Sequence, residues 1–484
     1  MAYNRVLLVS PPSSSYLGAA RPPQNLGFLA RALLDSGITY DVMDMRVGYS
    51  FKHLRKKIDQ FKPDLIGISL VSLEYRKSYA LIAGIREYYP QAAIIAGGPH
   101  VTVVKAKVLQ ECPQIDFGAV NEGEEILVEL CRGKAVDSIA GLLHRVDGNV
   151  VYNGPRTYPE DLDVISWPTY EGFEMRKYIR EIPLNSSRGC PYQCVFCPNK
   201  MISHKFRKRS ASNVVDEIEH WYRQGFRVFN FDDDNFTLDN QRVYDICDQL
   251  EQRGLSEAEL RCSNGIRADR ITRELLVRMK EVGFNYIAFG VDGGNNKMLK
   301  ANKKGETIEE IETAIKHACE LDFDVKIFVI TGMPQETMED IEDSLRIVQN
   351  YPVKRVILNN PIPYPGTELY ETVMKNDWFI KQPEEYLNSV VENVDVPVFE
   401  TPELSVEQRL ALLKRCRKIE KAVTQKAVER MYKRYGVFAK IAGYIFASRF
   451  VEHLFFYNMT FRKMVEYVRY KRQRAKKKNV EQFA

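Results

Sequence analysis

Twice along this chain, short apolar runs of strand length alternate with amphipathic stretches of helical period, and that double alternation sets the fold class. In residues 1–150 the runs RVLLVS, TYDVMDM, DLIGISL, AAIIAGG and DFGAVN are separated by stretches such as NLGFLARALLDSG and FKHLRKKIDQF. Five strands separated by helices predict a doubly wound, flavodoxin-like parallel sheet within an α/β chain. From Glu181 the pattern resumes with EIPLNSS, RVFNFDDD, ELRCSNG, NYIAFGV, DVKIFVIT and KRVILNN as strands and helices such as SNVVDEIEHWYRQG between them. Six βα units at intervals of ~25 to 40 residues predict a partial (β/α)6 barrel over residues 181–385, short of the usual eight. Residues 151–180, with Pro155, Pro159, Trp167-Pro168 and several tyrosines in no clear period, read as a linker packed between the two units. Residues 386–484 turn mainly helical from Ser405, an N-cap with Gln408 three residues on.

Both units place ligands at the carboxyl ends of their strands. In the first unit those ends read Ser10-Pro11-Pro12, Ser69, Gly97-Gly98-Pro99-His100 and Asn121-Glu122-Gly123-Glu124-Glu125. Each alone is an ordinary tight turn. Together they offer glycines that let backbone approach a bulky ligand and a helix N-terminus beyond the last loop.

In the second unit the first strand is followed by SSRGCPYQCVFCPN, which spends Cys190, Cys194 and Cys197, three of nine cysteines, within eight residues. An odd count argues against a disulfide framework and for a metal or redox site. Structural zinc takes four ligands, and no partner C-x-x-C or H-x-x-x-H lies at the usual spacing. An iron–sulfur cube normally takes four cysteines, so three leave one iron with an open position, which is a reactive arrangement. Cys247, Cys262 and Cys319 stand apart and read as core thiols.

The C-x3-C-x2-C spacing, with Phe196 before the last cysteine, resembles the radical S-adenosylmethionine (SAM) superfamily. The PP, GGPH and NEGE turns of residues 1–150 resemble the cobalamin-binding domain of the cobalamin-dependent radical SAM enzymes. The resemblance implies a [4Fe–4S] cluster on Cys190, Cys194 and Cys197 whose open iron binds SAM and cleaves it to the 5′-deoxyadenosyl radical. It further implies SAM contacts at Phe196, at Asp233 and Asp234 of the acidic run Asp232–Asp234, at Asp292 in FGVDGG where glutamate is usual, and at Ile330 and Gly332. Phe328 stands where that last element usually has glycine, and Glu336 orients the following helix. Cobalamin contacts are implied at Pro12, Ser69, Gly97, Gly98, Pro99, His100, Glu122 and Gly123. The D-x-H-x-x-G motif of the cobalamin mutases is absent, and His53, the only histidine before residue 100, reads as a surface residue, so no histidine is expected beneath the cobalt. NNPIPYPGTELYE resembles the PYPGT turn of the same enzymes.

The activity so implied is methylation of an unactivated carbon, one SAM methylating the corrin and a second supplying the radical. Radical rearrangement, cyclisation or oxygen insertion in the same fold is the alternative, and a non-catalytic cluster-containing binding protein is the reading from another class. Expected partners are a small-molecule, lipid or natural-product substrate and an electron donor such as flavodoxin or ferredoxin. Seven cations and no anion crowd RYKRQRAKKK at residues 469–478; taking those seven from the formal +5 leaves −2 for everything else, so no nucleic acid is expected. The N-terminus has no long apolar signal region, which predicts a cytoplasmic protein. GVFAKIAGYIFASRFVEHLFFYNMTFRKMVEYVRY is apolar and aromatic, but Lys440, Arg449, Glu452 and His453 interrupt it, so it is no membrane span. Packing against the barrel is the plainest expectation for it. An amphipathic helix on a membrane surface, or a cover over a large apolar substrate, is the alternative.

Overall fold

The computed structural model describes residues 2–13, 20–203, 205–389 and 395–448, and beyond them only 450–451, 454, 458, 460–465 and 467–468. The basic run 469–478, with Arg449, Glu452 and His453, lies outside the described residues.

The first sheet is built from β1 (Arg5–Ser10), β2 (Thr39–Asp44), β3 (Leu65–Ser69), β4 (Ala93–Gly97) and β5 (Phe117–Ala119), parallel and in the order β2-β1-β3-β4-β5. Strand β1 shows why such strands read as unbroken apolar runs. Leu7 and Val9 enter one helix-covered layer with Ile66 and Ile68, and Val6 and Leu8 enter the other with Leu65 and Ile95. The order reverses between β1 and β3, so their carboxyl ends, Ser10 and Ser69, flank the crevice where this topology takes ligands. An antiparallel hairpin, β6 (Leu142–Val146) and β7 (Asn149–Tyr152), extends the sheet beyond β5 and carries it two residues past the expected boundary at 150. Its turn, Asp147-Gly148, has φ of +48° and +82°, the left-handed pair a two-residue hairpin requires.

Residues between the two sheets contact both units. Tyr178 is buried with its hydroxyl donating to Asp44 (3.0 Å), and Tyr170 lies 5.3 Å from Trp221 of the barrel.

The second sheet is parallel throughout, in the order β8 (Glu181–Leu184), β11 (Val228–Phe231), β12 (Glu259–Ile266), β13 (Phe284–Gly290), β14 (Asp324–Ile330) and β15 (Arg355–Asn359). All six expected strands form. The short ribbon of β9 (Ser187–Arg188) and β10 (Arg207–Lys208) stands beside the exit of β8. Outward side chains such as Ile182, Phe229, Leu260, Ile287, Ile327 and Leu358 form one core with the surrounding helices. Helix Val406–Met431 starts at Ser405 with the expected capping box and covers β15: Glu420 accepts the Leu358 amide (2.7 Å), and Arg417 donates to its carbonyl (3.4 Å). Those side chains occupy backbone groups that a bare edge strand would present to another chain.

Of the segment expected to pack against the barrel, the described helix Val437–Phe446 lies on helix Val406–Met431. Val437, Phe438, Ile441 and Tyr444 remain 51–75% exposed, because Gly443 brings the helix onto Gln425 and Glu429 by its small face only. No described helix is long and apolar enough to cross a membrane.

Candidate active site

The cysteine loop opens where β8 ends, and its entry is fixed by glycine. Gly189 sits at φ +87°, and a Cβ there would meet the Ser203 carbonyl at 2.7 Å. Asp234 holds both ends of the loop, accepting the Gly189 amide (3.1 Å) on one oxygen and the Asn199 side-chain amide (2.6 Å) on the other. Val195 pins the middle: its amide donates to Asn302 (3.2 Å), and its carbonyl accepts from Leu369 (2.9 Å). Asp233, 1% exposed, takes hydroxyls from Ser186 (2.9 Å) and Ser187 and so locks the exit of β8. Asp232 is engaged by Arg21 of the first unit (2.9 Å). The acidic run thus supports the loop from behind, with Asp234 nearest the cysteines.

Burial raises all three thiol pKa values, that of Cys197 to about 11, and the neighbouring thiols add to the shift at Cys197. Among the described residues no three His, Cys, Asp or Glu side chains gather as the ligands of one ion would. In a cube each cysteine binds a different iron, so the three thiols need not converge on one point. Three half-buried thiols on one pinned loop, close enough to influence one another, fit such a cluster.

Beside Cys194 lies a charge network that the sequence reading missed. The Lys304 ammonium is buried between Asp292 (2.8 Å) and Glu306 (3.4 Å). Arg267 donates to the carbonyls of Lys304 (2.6 Å) and Gly305 (2.9 Å) and lies over the Tyr192 ring. Lys304 lowers the Cys194 thiol pKa against the effect of burial. Asp292 is therefore the partner of an ammonium, at φ +51°. In sequence, Lys303-Lys304-Gly305-Glu306 looks like a solvated charged turn, and nothing in it signals burial.

Phe196 and Ile330 both border one apolar cluster that includes Val195, Met298 and Met333. Gly332, at φ +93°, turns the chain out of β14. Its carbonyl accepts from Arg409 (2.8 Å), while Glu336 accepts the amides of Gly332 and Met333 (2.5 and 2.9 Å) and so holds the turn that precedes the next helix.

Across from this loop stand the carboxyl ends of the first sheet. Ser69 accepts from Asn25 (2.8 Å), Pro12 is exposed, and Gly97 meets nothing closer than Ala119, 3.6 Å from where its Cβ would be. Gly98 is at φ +97°, and a Cβ there would meet the Leu70 carbonyl at 2.7 Å, so this glycine serves the turn itself. Pro99 and His100 open a short helix, Pro99–Val104. His100 is buried, stacked on Tyr75, with one ring nitrogen 3.0 Å from the Tyr79 hydroxyl and the other 3.2 Å from Ser72. Desolvation lowers its pKa to about 4, and neither nitrogen is left for a metal. Glu122 faces the barrel: its carboxylate accepts from Arg188 (2.7 Å) and from Arg207, and Glu124 accepts the other Arg188 nitrogen (2.8 Å). Gly123 caps the helix Glu124–Cys131. Among the described residues, two buried side-chain atoms near these strand ends have no partner, Gln24 Nε2 at the start of helix Gln24–Asp35 and Asn121 Oδ1 after β5. A corrin, rimmed with carboxamides that donate and accept, supplies what both lack.

Residues 184–348 match the family model described as "Radical SAM superfamily", and residues 17–131 match "B12 binding domain". An uncharacterized methyltransferase of Pyrococcus horikoshii is 28% identical over 78% of this chain and 84% of its own length. The anaerobic magnesium-protoporphyrin IX monomethyl ester cyclase of Cereibacter sphaeroides is 26% identical over 76% of this chain and 63% of its own. The solved radical SAM methyltransferase TsrM from Kitasatospora setae, with cobalamin and a [4Fe-4S] cluster bound, superposes with a TM-score of 0.70 at 18% identity over 86% of this chain and 91% of that one.

Proposed function

Because it joins a B12-binding domain to a radical SAM domain, this chain belongs to the cobalamin-dependent radical SAM enzymes, and on that premise we propose that it transfers a methyl group from SAM to an unactivated carbon of a small molecule. The cofactors are a [4Fe–4S] cluster, SAM and cobalamin. When bound, the cluster supplies the electron that splits SAM into methionine and the 5′-deoxyadenosyl radical, and cobalamin carries the methyl group. Supporting the reading is one observation above all: the strand ends of both sheets open toward each other, joined through Arg188, whose backbone leads into the cysteine loop and whose guanidinium grips Glu122 and Glu124.

In this reading Cys190, Cys194 and Cys197 hold the cluster. Asp234 keeps their loop in shape, and Asp233 acts one layer behind it. Phe196, Ile330 and Gly332 form an apolar seat for adenine, and Asp292 with Lys304 flanks the polar end of SAM. Ser69, Gly97, Gln24 and Asn121 receive the corrin, with Pro12, Gly98, Pro99 and Gly123 shaping the surrounding turns and His100 and Glu122 acting structurally. The protein's contribution is alignment and exclusion of water around radical chemistry. An external one-electron donor of flavodoxin or ferredoxin type completes the system. The exposed apolar side chains of helix Val437–Phe446, with Lys440 among them, support contact with an anionic membrane surface, which flotation of the protein with anionic and neutral vesicles tests.

The deciding experiment incubates anaerobically loaded enzyme with deuterated-methyl SAM, a reductant and fractionated cell extract, then searches for acceptors that gain the labelled methyl. A product formed together with 5′-deoxyadenosine but without the label would replace methyl transfer by rearrangement or cyclisation, as the cyclase named among the relatives would suggest.

A further inference from the structure

On β14 burial alternates strictly. Val325, Ile327 and Val329 are sealed under helices, while Lys326, Phe328 and Ile330 turn to the barrel interior and stay half-exposed. On β15, Val356 and Leu358 are buried, whereas Arg355, Ile357 and Asn359 are half-exposed. Inward side chains of a closed eight-stranded barrel pack into a solid core. Here the inward residues of β14 and β15 stay partly accessible, so this inner face is not sealed.

The charges on that inner face are unevenly satisfied. Arg21 reaches Glu181 (3.3 Å) and Asp232 (2.9 Å), and Arg261 reaches Glu181 (2.5 Å) and Glu259 (2.7 Å). Lys326 is different. It lies in register with Ala288 on one side and Arg355 on the other, and its ammonium rests 3.8 Å from the centre of the Phe328 ring. Among the described residues no carboxylate pairs with it. Its charge is disfavoured by burial and then by Arg355 and Arg21, which together bring its pKa down to about 7. A partly buried cation that faces other cations is ordinarily paired.

We propose that Lys326 receives an anionic group of the substrate, a carboxylate or a phosphate, inside the barrel. The inference rests on the reading above that the strand ends carry the chemistry. Four residues separate Lys326 from Ile330, about 13 Å of strand, so an anion held at Lys326 leaves the rest of the substrate to reach up toward SAM. Phe328 lies between, an apolar side chain on the same face. The recognition element is a point charge on a flexible stem, which accepts either anion; a carboxylate and a phosphate ester are then separated by experiment.

The probes are inorganic phosphate and acetate. Loaded enzyme is treated briefly with acetic anhydride in the presence of each, and acylation of Lys326 is followed by peptide mass spectrometry, with the exposed Lys77 as internal reference. Lys326 should be protected by at least one of the anions while Lys77 is not, and the better protector identifies the kind of group. Equal acylation with and without both anions would overturn the proposal. Independently, Lys326→Met should raise KM for the labelled acceptor roughly 10- to 100-fold, and Lys326→Arg should recover most of it. An acceptor that passes unretained through an anion exchanger would also overturn the proposal while leaving methyl transfer intact. Absence of label in any acceptor would defeat methyl transfer, with the protection experiment still deciding the anion site.

Discussion

Replacing Lys304 by methionine gives a sharp measure of how the cysteine loop is supported. The side chain is nine-tenths buried, with its ammonium 2.8 Å from Asp292 and 3.4 Å from Glu306. Methionine preserves the apolar stem and removes only the charge, leaving two buried carboxylates without their shared cation. Breaking a buried pair in this way costs ~3–5 kcal/mol. At roughly 2–4 °C per kcal/mol for a unit of 150–250 residues, the thermal transition should fall by about 6–20 °C. Scanning calorimetry with the barrel transition resolved is the assay, since a chain of several units need not melt as one. The triple variant Asp292→Asn, Lys304→Met, Glu306→Gln separates charge from packing. Asparagine tolerates the left-handed φ of +51° at position 292, and glutamine keeps the oxygen that accepts the Ala268 amide. The triple variant should recover most of the lost stability. A single variant melting within a degree or two of wild type would refute the buried-charge reasoning, and a triple variant as unstable as the single would assign the loss to packing.

Alanine at Cys190, Cys194 and Cys197 together should abolish the about four irons per chain expected of a cube, measured after anaerobic reconstitution; retained iron would put the cluster elsewhere. Bound cob(II)alamin should show an electron paramagnetic resonance spectrum without nitrogen superhyperfine splitting, since both His100 nitrogens face Tyr79 and Ser72; splitting would mean that His100 leaves its pocket. Gly97→Leu should yield protein that keeps iron but not corrin, as read by visible spectra, whereas substitution at Gly98 should damage the fold because its Cβ would strike Leu70. Burial pushes the Glu336 carboxyl up to about 7 from an ordinary 4.5. The native state therefore keeps a proton that the unfolded chain releases, so stability is greatest below the unfolded value and falls by up to about 3 kcal/mol as pH rises through 7. Glu336→Gln should flatten that slope, and identical pH dependence of the denaturation midpoint in both proteins would refute the assignment.

Strands and caps were legible because they rest on local pattern: β1 on an unbroken apolar run, helix Val406–Met431 on Ser405 and Gln408. The hairpin β6–β7 was legible too, through Asp147-Gly148, but the parallel alternation around it drew the reading past that signal. What escaped was long-range pairing of charge. Glu122 reads as a ligand contact at a strand end, yet its carboxylate is bound by arginines 66 and 85 residues away. Lys304 and Glu306 read as a solvated turn for the same reason: burial belongs to the fold around them. Helix Val437–Phe446 errs the other way, since apolar composition predicts burial and only packing shows that nothing described covers its outer face.

The Glu122–Arg188 contact explains why the two units act together. Domains joined by a linker move relative to one another unless their interface is extensive or specifically fixed. Here the fixing point lies between the two candidate cofactor sites: Glu122 follows Asn121, whose Oδ1 is without a partner among the described residues, just after β5, and Arg188 precedes Gly189 and Cys190. A two-pronged guanidinium–carboxylate contact sets orientation as well as distance, and Phe28 lies against the Arg188 guanidinium at 4.7 Å, narrowing its freedom further. Any shift of the B12-binding domain is thereby passed to the first residue of the cysteine loop. Group transfer between two bound cofactors and one substrate depends steeply on such placement, so the residues that fix the interface bear on the reaction without touching a reacting atom.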